Sequence, residues 1–543
     1  MKLNNIIKCV VVGFFICGIV ACIDNFDEYN KNPHEPDLND MSVNDYLYSA
    51  LLLNLQDLMM PEQENFAQFV DALMAGNFAG YTADSNLGMG WSGRYATYNP
   101  SDDWLEKPFN DFYTRFYPNY FQLLNQSTNK LYLALGELFR IGTMLRVTDT
   151  YGPIPYSLVG AENAIRAPYD SQQTVYTRMF EDLDVVIEIL QQYVAQNFNP
   201  NADRIYSGNT ASWLKFANSL KLRMAMRTCY VNGFIANGKT SQQLAEEAVA
   251  TGVMTVATDG ARRKVADHNP WQRSMVMWND SRISADLICY MNGFNDPRRE
   301  AYYGKSTFQT VSEGAYSSDE NYEEVYVGLR RGIEQGKYNS WSHGFSTMKV
   351  DANDDIIIFL ASEVAFLRAE GALRGWNMGG TPKELYEMGV ALSFDERGVK
   401  GVNDYLTGTD NVSIYIDPLS GKSGQQYDYS GSVNTSVTVA WDGEANFEQN
   451  LERIITQKWI ANFPNGMESW SEYRRTGYPK LMPMVVNLGT NVDDLEGACR
   501  LPYPVEEYNE NGENVEKAVV ALARESKIKK GDSMGTHVWW DCK

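Results

Sequence analysis

The sequence is short of histidine and cysteine, which excludes several kinds of metal and catalytic site. Its 543 residues include four histidines and seven cysteines, with no Cys-x-x-Cys pair and no His-Glu-x-x-His motif. Thiolate zinc sites and zinc hydrolases depend on those spacings. We therefore expect no metal site and no cofactor. Four widely separated cysteines either form up to two disulfides or stay reduced, and the sequence leaves this open: Cys229, Cys289, Cys499 and Cys542.

Long hydrophobic runs are also missing, apart from one short block near the N-terminus. Residues 9–20 (CVVVGFFICGIV) are apolar and follow Lys2 and Lys8. This block is too short for a transmembrane helix of roughly 20 residues. It fits the hydrophobic region of a secretory signal peptide. The segment IVAC that ends at Cys22 is similar to a bacterial lipobox. We predict a signal peptide over 1–21 and a lipid on Cys22; an ordinary signal peptide with a chance cysteine is the alternative.

Basic residues are outnumbered by acids, 47 to 69, which gives a formal net charge of −22. Such a chain repels phosphate backbones, so we expect no nucleic-acid partner. The acids begin directly after Cys22, and residues 22–40 contain several acids, two prolines and no apolar periodicity. Segments of this composition stay extended. We predict that 22–40 is an acidic tether between the lipid and the domain.

Helical periodicity dominates the remainder, residues 41–543. Apolar residues recur at helical spacing in many segments, of which 175–194 is the clearest. Long stretches rich in Gly, Asn, Asp and Tyr separate the helices, and 433–443 alternates like a short hairpin strand. We predict a single all-α dominated domain of tetratricopeptide-like helix pairs, with long loop excursions and minor β-hairpins. The other predicted helices cover 41–59, 130–147, 212–228, 241–251, 361–375, 383–394 and 450–463.

Three short motifs match functional patterns only formally. GMGWSG (88–93) lacks the strand and helix that a dinucleotide fingerprint needs. GDSMG (531–535) leaves no room for the helix of a nucleophile elbow. DANDD (351–355) begins like a calcium loop but lacks its glycine and closing acid, so calcium binding stays open. We therefore predict no enzyme activity, although an acid pair of the glycosidase type is not excluded by sequence alone.

Aromatic residues in the loops are the strongest functional signal. One loop region contains Trp91, Tyr95 and Tyr98, and another contains Trp341 with several tyrosines. Flat rings stack on sugar faces, while neighbouring polar groups bond the hydroxyls. The same surfaces also suit peptides. We predict that these four residues bind the ligand.

Several blocks resemble SusD/RagB-type outer-membrane lipoproteins, in particular the SusD-like subgroup associated with starch binding. The resemblance covers nearly the whole chain. The blocks are TDTYGPIPYS (148–157), RIYSGNTASWLKFANSLKLRMAMR (204–227), FNDPRREAYY (294–303) and ITQKWIANFPNGMESWSEYRRTGYPKL (455–481).

The resemblance implies a helical protein on the outer face of the outer membrane of a Bacteroidetes-type bacterium. Asp24, Asp27 and Glu28 are similar to the export signal of such surface lipoproteins. The implied function is to bind nutrient oligomers, mostly glycans, for a SusC-like TonB-dependent transporter, without bond chemistry. An oligopeptide ligand, a surface glycosidase and a structural adhesin remain alternatives.

Overall fold

The computed structural model describes residues 46–86, 94–161, 166–307, 325–333, 343–418, 420 and 428–543. Helices dominate these residues, as the sequence predicts. The long ones are α1 (Tyr46–Asp57), α2 (Phe112–Gln126), α3 (Lys130–Tyr151), α4 (Gln172–Gln192), α5 (Thr210–Arg227), α6 (Ser241–Thr251), α7 (Ala285–Gly293), α8 (Ala361–Leu373), α9 (Pro382–Glu396), α10 (Phe447–Asn462), α11 (Gly466–Thr476) and α12 (Val505–Glu525).

Shorter helical segments connect these helices. A π-helical stretch, Gln68–Ala75, lies between the turns Glu64–Ala67 and Gly76–Phe78, and another, Gln272–Met277, precedes the polar residues described below. The remaining short segments are Tyr95–Thr97, Asp102–Glu106, Lys107–Asp111, Pro200–Ala202, Ala257–Asp259, Arg299–Tyr302 and Val402–Tyr405.

Polar side chains fix where the predicted helices begin. Asn129 accepts a hydrogen bond from the Leu131 amide at 3.0 Å and so starts α3. Thr240 and Gln243 form a reciprocal capping box at the start of α6. Helices consecutive in the chain pack on each other: α3 on α4, α5 on α6 and α8 on α9. The predicted helix pairs are therefore confirmed.

Strands are few and short in the described residues. β1 (Thr82–Asp84) pairs antiparallel with β5 (Ser281–Ile283), and β4 (Ala261–Arg263) pairs with β6 (Ile356–Phe359). The two-residue strands β2 (Ile235–Ala236) and β3 (Lys239–Thr240) form a small hairpin.

The predicted strand over 433–443 is wrong, because these residues pair with no neighbouring strand among those described. Instead, the carbonyl of Val439 accepts a hydrogen bond from the Tyr386 hydroxyl at 2.6 Å. The alternating pattern reflects residues that pack one by one against helices.

The longest of the resembling blocks forms the buried centre of the molecule. Arg475 of α11 contacts Glu370 of α8 at 2.6 Å and Glu472 at 2.7 Å, and all three side chains are almost fully buried. Lys458 of α10 contacts Glu472 at 3.0 Å. Buried charges need such partners. These buried ion pairs of the block therefore hold the helices together.

Candidate ligand-binding site

The segments 87–93 and 334–342, which contain the predicted Trp91 and Trp341, lie outside the described residues. The residues on either side of them are described. Arg94, directly after the first segment, donates from Nη2 to the carbonyl of Ile333, directly before the second, at 2.9 Å. Both residues are buried. The residue after the first segment is therefore bonded to the residue before the second.

The described residues on the other side of the two segments are also close together. His343, directly after the second segment, contacts the backbone of Ser85, which lies two positions before the first. The Ser85 amide donates to the carbonyl of Asp280 at 2.9 Å, and its hydroxyl donates to the carbonyl of Asn279 at 2.6 Å. These bonds extend the β1–β5 pairing. The residues that meet here, Ser85, Asn279, Asp280 and His343, form one polar platform beside the two segments.

An asparagine and a carboxylate form part of this platform. Asn86 donates from Nδ2 to Asp280 Oδ1 at 2.6 Å, and Gln68 donates to the other carboxylate oxygen. Burial raises the pKa of Asp280 above its usual value. The two amide donors nevertheless favour the charged form, so the carboxylate acts as an acceptor that orients Asn86.

Arg282 of β5 is a buried cation that has no carboxylate partner among the described residues. It donates to Asn279 Oδ1 at 2.6 Å and to the Met275 carbonyl at 3.5 Å. Its Nε atom is buried and meets no acceptor there. Burial lowers the pKa of Arg282 to about 10, so the side chain is still charged at neutral pH. An unpaired buried donor is costly, which favours a ligand atom or a water as its partner.

His343 adds a complementary group. Burial, with a smaller contribution from the charge of Arg282, lowers the pKa of His343 below 6.5, so the ring is neutral at pH 7. Its Nε2 atom is buried and has no hydrogen-bond partner in the described part of the chain. In a neutral imidazole one nitrogen donates and the other accepts, so Nε2 suits a ligand group that can do either. Arg282 and His343 thus offer two buried polar atoms to a ligand.

Exposed apolar side chains stand beside these polar groups. Trp278 directly precedes Asn279 and is 37% exposed, and its neighbour Met277 is 53% exposed. Asn279 adopts a left-handed conformation (φ 57°) that turns the chain into β5. Trp278 therefore presents an aromatic face next to the platform. The sequence analysis missed it, and the signal was the Trp-Asn-Asp turn at 278–280.

Tyr95 and Tyr98 are buried in this structure, which argues against the predicted role of these two residues in ligand binding. Tyr95 is fully buried, and its hydroxyl donates to the carbonyl of Trp104. Tyr98 is 6% exposed and stacks on Phe78, with ring centroids 6.1 Å apart. Both rings are covered by core side chains and have no face left for a sugar. They anchor the chain that follows Arg94.

The predicted lipidation residue Cys22 and the export residues Asp24, Asp27 and Glu28 lie outside the described residues. In the described part of the chain, no helix combines the length and apolarity needed to cross a bilayer.

The four cysteines that the sequence left undecided are all free thiols. At the calcium-like motif, the Asp354 carboxylate accepts a hydrogen bond from the Asp351 amide at 2.8 Å and so closes a local turn.

Comparison with known proteins defines the class. A family model described as "SusD-like: Susd and RagB outer membrane lipoprotein" matches residues 28–541. Among curated proteins, none matches the sequence. Because the family model spans nearly all of the chain, this protein belongs to the SusD-like family of outer-membrane lipoproteins.

Solved structures agree with this assignment. The chain is 70% identical to a SusD homologue from Bacteroides ovatus, with a TM-score of 0.89, and the match covers 92% of this chain and 100% of that one. It is 44% identical to a SusD homologue from Bacteroides thetaiotaomicron, with a TM-score of 0.83 and coverage of 91% and 99%. A chitin-binding SusD homologue from Flavobacterium johnsoniae is 35% identical, with a TM-score of 0.81 and coverage of 91% and 98%.

Proposed function

We propose that this protein captures an oligosaccharide at the cell surface and delivers it to a SusC-like TonB-dependent transporter. The observation that carries the proposal is that the residues flanking the two aromatic segments meet: Arg94 Nη2 lies 2.9 Å from the Ile333 carbonyl oxygen, and His343 contacts Ser85. Two loop segments whose flanking residues contact each other can bind the same ligand. A lipid on Cys22 and the acidic tether 22–40 would hold the domain at the membrane.

The groups around this junction match the chemistry of a sugar. Trp278 offers an apolar face, while Arg282 Nε and His343 Nε2 have no hydrogen-bond partners among the described residues. Sugar hydroxyls both donate and accept, so they suit either atom. Because both atoms are enclosed, a ligand that lacks either hydroxyl leaves an unpaired buried group, which makes the bonds selective.

Other ligands and activities have weaker support. A peptide with a free carboxylate would also find a partner in Arg282, so an oligopeptide is the second candidate. A glycosidase needs two carboxylates placed for acid and base work. The acids on the platform are instead held by amides, Asp84 by Asn77 at 2.7 Å and Asp280 by Asn86 at 2.6 Å. The relative from Flavobacterium johnsoniae is described as chitin-binding, which also favours a binding protein.

Two experiments test the proposal. The soluble chain that begins after Cys22 is screened against neutral, acidic and amino-sugar oligosaccharides and against a peptide pool. We expect saturable binding of an oligosaccharide with no cleavage of it, whereas binding of peptides alone would favour the second candidate. Delivery is tested by purifying the full-length lipoprotein from the outer membrane of its host. A β-barrel transporter should co-purify, and its absence would contradict the delivery step.

A further inference from the structure

A second cluster of reactive side chains lies where the end of the chain meets the segment after α11. Glu496 and Cys499 belong to that segment, and His537 comes from the C-terminal residues. One ligand atom from each of the three lies within 4.8 Å of the other two. This group of three side chains differs from a surface acidic cluster, because the thiol and the imidazole are both buried. Carboxylate, thiolate and imidazole are the three protein ligands of zinc.

The backbone holds these residues in place without a metal. The Cys499 amide donates to the Met534 carbonyl at 2.7 Å, and the Cys499 carbonyl accepts from Arg474 Nη1 at 2.9 Å. The His537 amide donates to the Ile528 carbonyl at 3.1 Å. The two chain segments are therefore docked by bonds that do not involve the ligand atoms. The Cys499 thiol donates a long hydrogen bond to the Gly497 carbonyl at 3.7 Å, which is lost when the sulfur binds a metal.

The imidazole of His537 is oriented as in many metal sites. Its Nδ1 lies 2.9 Å from Asp541 Oδ2, which leaves Nε2 on the side of Glu496. Nε2 lies 3.4 Å from Glu496 Oε2. In metal sites, the second nitrogen of a ligating histidine commonly faces a carboxylate, which orients the ring. Asp541 is thus a positioning residue.

A cavity gives access to the cluster. Its volume is about 540 Å³, and Glu496, Cys499, His537 and Asp541 all contribute to its wall. The opening supplies the entry path that a metal site needs. It also leaves room for a water molecule or a ligand atom as a fourth donor, which tetrahedral coordination requires when the protein supplies three.

A cysteine nucleophile is the main alternative for a Cys-His-Asp grouping. The geometry here does not suit it. In such enzymes backbone amides stabilise the oxyanion, but the amide of Cys499 already donates to Met534.

We propose that Glu496, Cys499 and His537 bind a divalent transition-metal ion of the zinc type, with Asp541 holding the imidazole in place. The ion links the C-terminal residues to the segment after α11. Short histidine and cysteine motifs did not reveal this site, because Cys499 and His537 come from separate parts of the chain. The inference is independent of the proposed function, since none of these residues belongs to the ligand platform.

Cobalt and zinc titrations of the full mature chain without a histidine tag test the site. Cobalt bound through a thiolate gives a charge-transfer absorption that reports the sulfur ligand directly. We expect one equivalent of each ion to bind and zinc to raise the melting temperature by mass action. Cys499→Ser should abolish the cobalt band. Cys542→Ser, which removes another thiol of the C-terminal segment, should leave both effects unchanged.

Two further variants separate metal binding from folding. Glu496 is exposed, so Glu496→Gln should fold normally yet bind zinc less tightly. Asp541→Asn should weaken zinc binding by about 10- to 100-fold through loss of orientation. The proposal is overturned if the wild-type protein shows no saturable binding. It is also overturned if Cys499→Ser and Glu496→Gln, both folded, bind cobalt and zinc as the wild type does.

Discussion

The guanidinium of Arg94 donates to the carbonyl oxygen of Ile333 at 2.9 Å, across 239 positions of the sequence. This bond joins the end of one predicted aromatic segment to the start of the other. It explains how two sets of aromatic residues far apart in the chain can belong to one site. The following predictions concern that site and the core beneath it.

Arg282 should contribute to ligand binding at the expense of stability. Arg282→Met removes a buried cation that has no carboxylate partner in the described structure. Replacing an uncompensated buried charge with an apolar side chain of similar length should leave the midpoint of urea unfolding unchanged or higher. Loss of a charged hydrogen bond to the ligand should weaken affinity by about tenfold or more. A variant that loses stability but keeps its affinity would contradict this role.

Tyr95 should contribute to stability and not to ligand binding. Tyr95→Phe removes the hydroxyl that donates to the Trp104 carbonyl inside the core. The free energy of unfolding should fall by about 1 kcal/mol, the usual net value of such a bond. Oligosaccharide affinity measured by calorimetry should not change. A clear loss of affinity in the folded variant would show that this ring does reach the ligand.

The buried pair of Arg475 and Glu370 should be essential for stability. Arg475→Met leaves the carboxylates of Glu370 and Glu472 buried without this partner. Breaking a buried ion pair on one side costs about 3–5 kcal/mol, and denaturant unfolding measures the loss.

An exposed ion pair provides the matched control. Lys383 and Glu387 of α9 lie 3.8 Å apart on the surface. Lys383→Met should change the free energy of unfolding by less than about 1 kcal/mol. Equal effects of the two substitutions would contradict the structural role of the Arg475 cluster.

The same cluster predicts a defined acid sensitivity. Burial opposes ionisation of Glu472, but Arg475, Lys458 and Arg227 outweigh it and hold the pKa of its carboxyl well below 4.5. A lowered carboxyl pKa stabilises the folded state above the unfolded value of 4.5, and this stability is lost as the pH falls through the folded pKa. The free energy of unfolding should therefore decline below pH 4.5. Glu472→Gln should be less stable at pH 7 and show a shallower decline, whereas an unchanged acid slope would rule out this carboxylate as a source.

Much of the fold could be predicted from local sequence. Helical spacing and capping residues predicted the helices because both signals lie within one element, as with α6 and its Thr240 cap. The alternating stretch 433–443 was wrongly predicted to be a strand, because a strand also needs a partner strand. The burial of individual side chains could not be predicted from local sequence either. Tyr95 and Tyr98 occur in a polar loop sequence, but distant core residues cover them.

The candidate site was only partly predictable for the same reason. Arg282 acquires its place through β1–β5 pairing, Trp278 through the turn at Asn279 that leads into β5, and His343 through its contact with Ser85. No short motif encodes these contacts. Glu496, Cys499 and His537 likewise meet only after the C-terminal residues dock.

The central claim is that one ligand contacts both aromatic segments and Trp278. The most direct measurement is a calorimetric titration of the best oligosaccharide from the screen into the wild type, Trp91→Ala, Trp341→Ala, Trp278→Ala and Phe447→Ala. Phe447 is a matched control, because it is 37% exposed like Trp278 but starts α10. Each tryptophan variant should lose at least about 1 kcal/mol of binding free energy, the level that separates contributing contacts from neutral ones, and the Phe447 variant none. Unchanged affinity in all three folded tryptophan variants would contradict the claim.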